Sequence, residues 1–509
     1  MHADRSEHPP ARARTRLLRL LLALAVGLQP LTLPAQEGVQ LPELGDAGDV
    51  LPPDEARAFP NDFRNYMRAQ GMLVEDPIID SYFTEMGYRL VMHSSGRSQD
   101  FHFHVLRVPG INAFAAPAGV VALNAGLILA ADRADEVAGV VAHEISHVTQ
   151  NHLARSAREA RRVSLPVMLA TLGAVMVGGM AGGIDGETAQ GLLAAGMGLS
   201  EQAQINYTRQ NESEADRIGI QLMARAGYDP HGMVDFFDTL RQWVRTQGSA
   251  RPPEYLSTHP MPVSRVAEAR QRVREYQPRS RPADSRFAFV QARLRVLMAD
   301  HPDEAIDHFE TRLERDPADE AALRYGLALA LIDARRAQRA QLHVDWLLER
   351  EPDSQLFRLL RGDLLLAEGR LAAALEVFEA LYRDYGGSTP VALSYTDALL
   401  RSDDAAHAGR AVRILDEQLR RNPGDVRVSE RLARAADRAG DPVRAAEAVA
   451  TNYYQRGGLP QAIDQLERVL ERSDLDYYAR ARISARLDRM RVERLRALRE
   501  NGVREDPPG

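Results

Sequence analysis

The chain contains no cysteine. Disulfides, thiolate metal sites and a lipidated N-terminal Cys are thereby excluded, and any metal must be held by His and carboxylates. Lysine is absent too, since all 64 basic residues are Arg. No single site would require that, so we read it as a compositional bias of the genome. Positive charge is not in excess. The formal net charge is −7, which removes the electrostatic case for nucleic-acid binding. Two long, largely apolar runs stand out.

The first run opens the chain. Arg5, Arg12, Arg14, Arg16 and Arg19 form a basic segment, and Leu17 to Leu33 is apolar apart from Arg19, Gln29 and Thr32. Thr32-Leu33-Pro34-Ala35 suits cleavage, so residues 1–35 read as a signal peptide and the compartment as a periplasm. The segment holds five Arg against Asp4 and Glu7, so its removal takes the net charge from −7 to −10. The second run, residues 165–184 (LPVMLATLGAVMVGGMAGGI), is long enough to cross a bilayer. Its glycines and Pro166 argue instead for a buried or site-covering helical pair. Peripheral membrane contact through this stretch is the other reading.

A length of 509 residues suggests two or three domains, and 45% hydrophobic with 27% charged residues describes a globular protein. Residues 36–55 are polar and rich in Gly and Pro, as a linker is. A compact domain follows over 56–277. Within it, 101–107 (FHFHVLR) and 120–123 (VVAL) read as strands, with a turn at Pro109-Gly110. A helix comes next, with Asp132 as its N-cap and Asp135 three residues on. Val137, Val140, Val141, Ile145 and Val148 give it an apolar stripe. A second helix carries Glu212-Ser213-Glu214-Ala215-Asp216, would bury Ile218, Leu222 and Met223, and stops at Gly227 before Pro230.

Residues 285–509 change character to an Ala/Leu/Arg-rich helical array. Ala305, Ala340, Ala374, Ala411 and Ala445 recur at spacings of 35, 34, 37 and 34. Phe309, Val344, Phe378, Leu415 and Val449 follow each by four residues, and Pro317, Pro352, Pro390 and Pro423 close the first four units. This pattern is similar to the tetratricopeptide repeat, without its leading Trp. Such helix pairs stack into a curved solenoid whose concave face suits a protein partner.

The chemistry lies in His143-Glu144-Ile145-Ser146-His147. On a helix, His143 and His147 project from one face and can share a metal ion. A catalytic zinc usually takes three protein ligands and keeps one open position. Glu212 is the best third, giving two His and one Glu, and Glu214 competes for that role by spacing. Asp216 lies on the face of Glu212 and could bond a ligand imidazole. Glu144 would be the general base, and His152, five residues past His147, is off the ligand face and reads as structural. His259, in Thr258-His259-Pro260-Met261-Pro262, reads from the residues alone as a loop residue.

HEISHVTQNHLAR, NESEADRIGIQ and THPMP together resemble the zinc metallopeptidase family of the CAAX prenyl protease and the membrane protease HtpX. The resemblance implies an α+β, mainly helical zincin-type (gluzincin) domain with a small sheet and one Zn2+ per chain. It favours Glu212 over Glu214 as the third ligand. It implies that His259 lies on a plug and serves as a regulatory fourth ligand, and that Asn112, Ala113 and Phe114 form a substrate-facing edge strand. The loop from Thr246 to Pro253 is slightly longer than the family pattern leads one to expect. With the export signal and the repeat half, the resemblance implies a periplasmic endopeptidase. It would degrade misassembled outer-membrane β-barrel proteins and assist their assembly, with the repeats binding substrates or the assembly machinery. The competing expectation is a tetratricopeptide chaperone or scaffold whose zinc domain is latent or structural.

Overall fold

A computed structural model describes residues 51, 53–95, 99–156, 158, 208–247, 253–277, 284–315, 319–473 and 475–500. The signal segment, most of the stretch read as a linker, residues 165–184 and residues 248–252 lie outside these. Among the described residues no helix is long and apolar enough to cross a membrane.

The chain divides into two compact units. One comprises the described residues of Met1–Arg57, Met86–Phe103 and Gly110–Arg281, and the other Ala58–Glu85, His104–Pro109 and Pro282–Gly509. Helix α1 (Pro53–Ala69) begins within the stretch read as linker, and the division passes through α1, through α2 (Pro77–Val91) and through strand β1 (His102–Leu106).

The first unit contains strands β2 (Ala113–Ala116) and β3 (Val120–Asn124) of a small sheet of order β1-β3-β2. β2 and β3 form an antiparallel hairpin with Ala113 opposite Leu123. Its turn needs Gly119 at φ +74, where a Cβ would lie 2.0 Å from the Asp100 carbonyl oxygen. After α3 (Ala125–Ala130) comes α4 (Ala134–Thr149). The cap differs from expectation. Glu136 Oε1 accepts from the amides of Asp132 and Arg133, both at 3.0 Å, while Asp135 accepts from the Asp229 amide. α4 is also more than an amphipathic stripe, for His143, Glu144 and Ser146 are as buried as Val137 and Ile145. α5 (208–226) ends at Gly227, at φ +81 as a left-handed helix stop requires. It buries Leu222 and Met223, with Ile220 rather than the half-buried Ile218 in the core. Gly219 lets α5 approach α4, since a Cβ there would sit 3.3 Å from the His143 amide nitrogen and 2.9 Å from Met233. α6 (His231–Gln247), α7 (Glu254–Thr258) and α8 (Val263–Val273) complete the unit.

The second unit contains an all-helical array: α9 (Ser285–Met298), α10 (Pro302–Arg315), α11 (Glu320–Asp333), α12 (Ala337–Arg350), α13 (Gln355–Ala367), α14 (Leu371–Tyr385), α15 (Thr389–Leu399), α16 (Ala405–Arg421), α17 (Val426–Arg438), α18 (Pro442–Gln455), α19 (Leu459–Leu470) and α20 (Tyr477–Glu500). Asp404, Asp425 and Asp441 cap α16, α17 and α18 through side-chain bonds to backbone amides. Consecutive helices pack in pairs, and α9, α11, α13, α15 and α17 also pack on one another. Ala305, Ala340, Ala374 and Ala411 are fully buried, with Phe309, Val344, Phe378 and Leu415 beside them. In the fifth unit Ala445 and Val449 are only half-buried, and Ala448 and Ala450 take the core positions.

The chain's own earlier segment lies on the face formed by the odd-numbered helices. Asp76 pairs with Arg293 of α9 at 2.7 Å and Asp80 with Arg427 of α17 at 2.6 Å. Ile78 packs against the cluster of Leu359, Val391 and Leu432, and Asn65 donates to the Gln455 carbonyl at 3.0 Å.

Candidate metal centre

α4 supplies His143, Glu144 and His147, one turn apart on the helix that crosses the core. α5 supplies Glu212 and Asp216. The segment after α7 supplies His259, and α8 supplies Arg265. The Nε2 atoms of His143 and His147 face each other at 2.9 Å, and each lies 3.3 Å from a Glu212 oxygen. His259 Nδ1 stands 3.1 Å from Glu212, and its Nε2 stands 3.4 Å from Glu144 Oε1.

These donors fit a metal ion. One ligand atom from each of His143, His147, Glu212 and His259 lies within 4.8 Å of the other three. Tetrahedral bonds of about 2.0–2.2 Å place ligand atoms roughly 3.3–3.6 Å apart, close to the separations seen. The Glu144 carboxylate is 1% exposed, and among the described residues its Oε1 finds no hydrogen-bond partner, with His259 Nε2 at 3.4 Å. A buried acceptor without a hydrogen bond, close to an imidazole, suits a site that works on a proton donor.

The electrostatics favour a cation. Burial raises the Glu212 carboxyl, but His259, Arg265, His147 and His143 outweigh it and bring it well below the usual range. Asp216 is likewise taken to about 2, against burial, by Arg265 and His143. Burial works against charge on His143, yet Glu212 and Asp216 hold its pKa up at about 9. Burial dominates at His147 and lowers it. Asp216 accepts from or shares the Nδ1 proton of His143 at 2.9 Å, which fixes that ring with Nε2 toward the cluster.

Of the two competing carboxylates, Glu212 enters the cluster. Glu214 turns away to Arg155 at 3.0 Å and His152 at 3.1 Å. Asn112 precedes β2, and Ala113 and Phe114 lie within it, at the edge of the sheet. The Ile111 carbonyl, just ahead of that edge, accepts from the Tyr255 amide of α7 at 3.2 Å. Tyr255 in turn stacks on His259, with centroids 4.7 Å apart.

Sequence reasoning missed two residues. Arg265 is 5% exposed and donates to Asp216 through Nε (2.5 Å) and Nη2 (2.8 Å), with Nη1 at 2.7 Å from Glu212. The same Nη1 reaches the Pro260 carbonyl at 3.1 Å. Two acids on one helix facing a core were the available signal that a buried cation must answer them. His152 was read as structural, but its Nδ1 lies 3.0 Å from His147 Nδ1.

The profile of peptidase family M48 matches residues 80–273, which contain every residue of this centre, and a tetratricopeptide-repeat profile matches 325–389. The chain is 31% identical over 474 residues to the β-barrel assembly-enhancing protease of Escherichia coli K12, covering 93% of this chain and 95% of that one. The chain belongs to peptidase family M48. The Yersinia pestis β-barrel assembly-enhancing protease matches this M48 peptidase at 31% identity over 90% of its length and 93% of the relative's. The mitochondrial metalloendopeptidase OMA1 of Schizosaccharomyces pombe matches at 28% identity over 40% of the M48 chain and 56% of its own. The M48 chain is thus a metallopeptidase followed by tetratricopeptide repeats.

Proposed function

We propose that this chain is a periplasmic zinc endopeptidase that removes misassembled outer-membrane β-barrel proteins and assists their assembly. Residues 56–277 carry the chemistry and 285–509 bind substrates or the assembly machinery. The observation that carries the reading is the convergence of His143, His147 and Glu212 beside the buried carboxylate of Glu144. The assembly role rests on the names of the relatives that align over nearly the whole chain.

His143, His147 and Glu212 would hold the zinc. When bound, zinc supplies an acidified water and a positive charge for the scissile carbonyl. Glu144 takes a proton from the attacking water and returns it to the leaving amine. Asp216 and Arg265 keep the His143 ring in place. An extended substrate adds to the edge at Asn112, Ala113 and Phe114 by backbone pairing. The bond from the Tyr255 amide to the Ile111 carbonyl, and the contact of His259 with Glu212, support reading the α7 segment as lying on that approach with His259 toward the metal. One short segment therefore opposes both substrate pairing and an open metal position.

Glu144→Gln should retain one zinc per chain and lose cleavage of an unfolded barrel substrate by at least about 100-fold, the order expected for a general base. Cleavage at the wild-type rate would sink the mechanism. A second reading, a repeat-based chaperone with a latent zinc domain, draws on His259 completing a four-residue set, which is typical of structural zinc. Full rescue of an envelope-stressed deletion strain by Glu144→Gln would favour that reading.

A further inference from the structure

The two candidate His ligands are held by different means. His143 bonds directly to the Asp216 carboxylate, which Arg265 holds. Among the described residues His147 has no carboxylate on its Nδ1. It has a second imidazole, His152, at 3.0 Å, and His152 Nε2 lies 3.1 Å from Glu214 Oε2, which Arg155 holds at 3.0 Å. His152 is 3% exposed. Each ligand imidazole thus ends in a carboxylate of α5 backed by an arginine. One is reached directly and the other through a second ring.

His152 reaches this place because the chain bends. On a continuous helix it would stand about 140° round from His147. α4 ends at Thr149, and Asn151 takes φ +52, a left-handed conformation that Asn tolerates better than most residues. A new helical turn then begins at residue 152 and folds His152 back over His147.

The hydrogen bonds leave one arrangement of protons. An ionised Glu214 only accepts, so His152 Nε2 carries the hydrogen that faces it. With one proton on each ring, His152 Nδ1 is then bare. It must accept, so His147 Nδ1 carries the proton of the bond between the rings. His147 Nε2 is left bare, and it faces His143 and Glu212. We propose that His152 is a positioning residue for His147, holding it in the tautomer and orientation that present Nε2 to the metal, with Glu214 and Arg155 anchoring His152. The proposal rests on the zinc reading given above.

Zinc affinity of the full-length chain, measured by competition with a chromophoric chelator, tests it. His152→Ala should weaken zinc binding about 10–100-fold, the usual cost of losing an outer partner of a ligand. His152→Asn keeps an acceptor where Nδ1 was and should recover most of the affinity. His152→Leu keeps the bulk without the acceptor and should not. Glu214→Ala should weaken binding in the same direction as His152→Ala. Far-ultraviolet circular dichroism of the metal-free variants reads folding separately, and the Asn–Leu pair decides the matter should the Ala variant not fold. Wild-type affinity in His152→Leu, with zinc lost in Glu212→Ala, would overturn the proposal and leave the zinc site standing. A wild-type chain that binds no zinc would overturn the metal reading and this proposal with it.

Discussion

Glu212 and Asp216 are both buried, and both face the guanidinium of Arg265. Removing that cation strands two carboxylates in the core. Arg265→Ala should therefore cost the metal-free protein about 3–5 kcal/mol in denaturant unfolding. Arg265→Lys should recover only part, because a point charge cannot span Asp216 and Glu212 together. A loss under about 1 kcal/mol would show that the carboxylates find another partner. His259 sits against Glu212 and Glu144 without being needed to complete a two-His, one-carboxylate set. His259→Ala should raise the rate of peptide cleavage several-fold, and lower activity at unchanged zinc occupancy would show instead that His259 assists the reaction. At this scale the H-E-x-x-H spacing made His143, Glu144 and His147 legible, because helical periodicity alone puts the two rings together. Arg265 and His152 were not legible. One depends on the tertiary packing of α8 beside the two acids of α5, the other on a single left-handed residue, and neither has a periodic signature.

Among elements, the repeat helices show how a core position is set by shape. Phe378 of α14 lies over Gly362 of α13 so closely that an added Cβ would fall 2.3 Å from the ring, and Phe309 meets Gly326 in the same way. Gly362→Ala should destabilise the repeat unit by about 1–3 kcal/mol through overpacking, read as a lowered thermal midpoint. An unchanged midpoint would mean that the ring has room to shift. The small-then-large spacing was readable in four units, since apolar periodicity governs them. It slipped in the fifth because Glu447, 2% exposed, is drawn inward by Arg482 at 2.9 Å and Arg444 at 3.5 Å. A hydropathy pattern does not see an ion pair. β2 was equally hidden from pattern reading, for Ala113–Ala116 has no alternation, and only family resemblance marked it.

For the molecule as a whole, stability should respond to pH through a carboxyl of the repeat helices. Burial raises Asp363 to about 6, with Asp76 adding to the shift and Arg293 opposing it. Between about pH 4 and 6 the folded chain therefore keeps a proton that the unfolded chain has released. This group's contribution is complete below about pH 4 and is lost as pH rises through 6. Asp363→Asn should thus unfold later than wild type at pH 7.5, by up to about 1–3 kcal/mol, and no later at pH 4. An equal gain at both values would point to packing rather than ionisation.

The helix face on which Asp76, Ile78 and Asp80 rest has a further consequence. A peptide arriving there meets a resident ligand, residues 58–85, covalently tethered to its own receptor. Tethering of this kind corresponds to effective concentrations of about millimolar or higher. The affinity of such a peptide for the whole chain must fall below its affinity for the bare face by the factor that the resident segment imposes. Occupancy by a visitor would be coupled, one for one, to release of the resident.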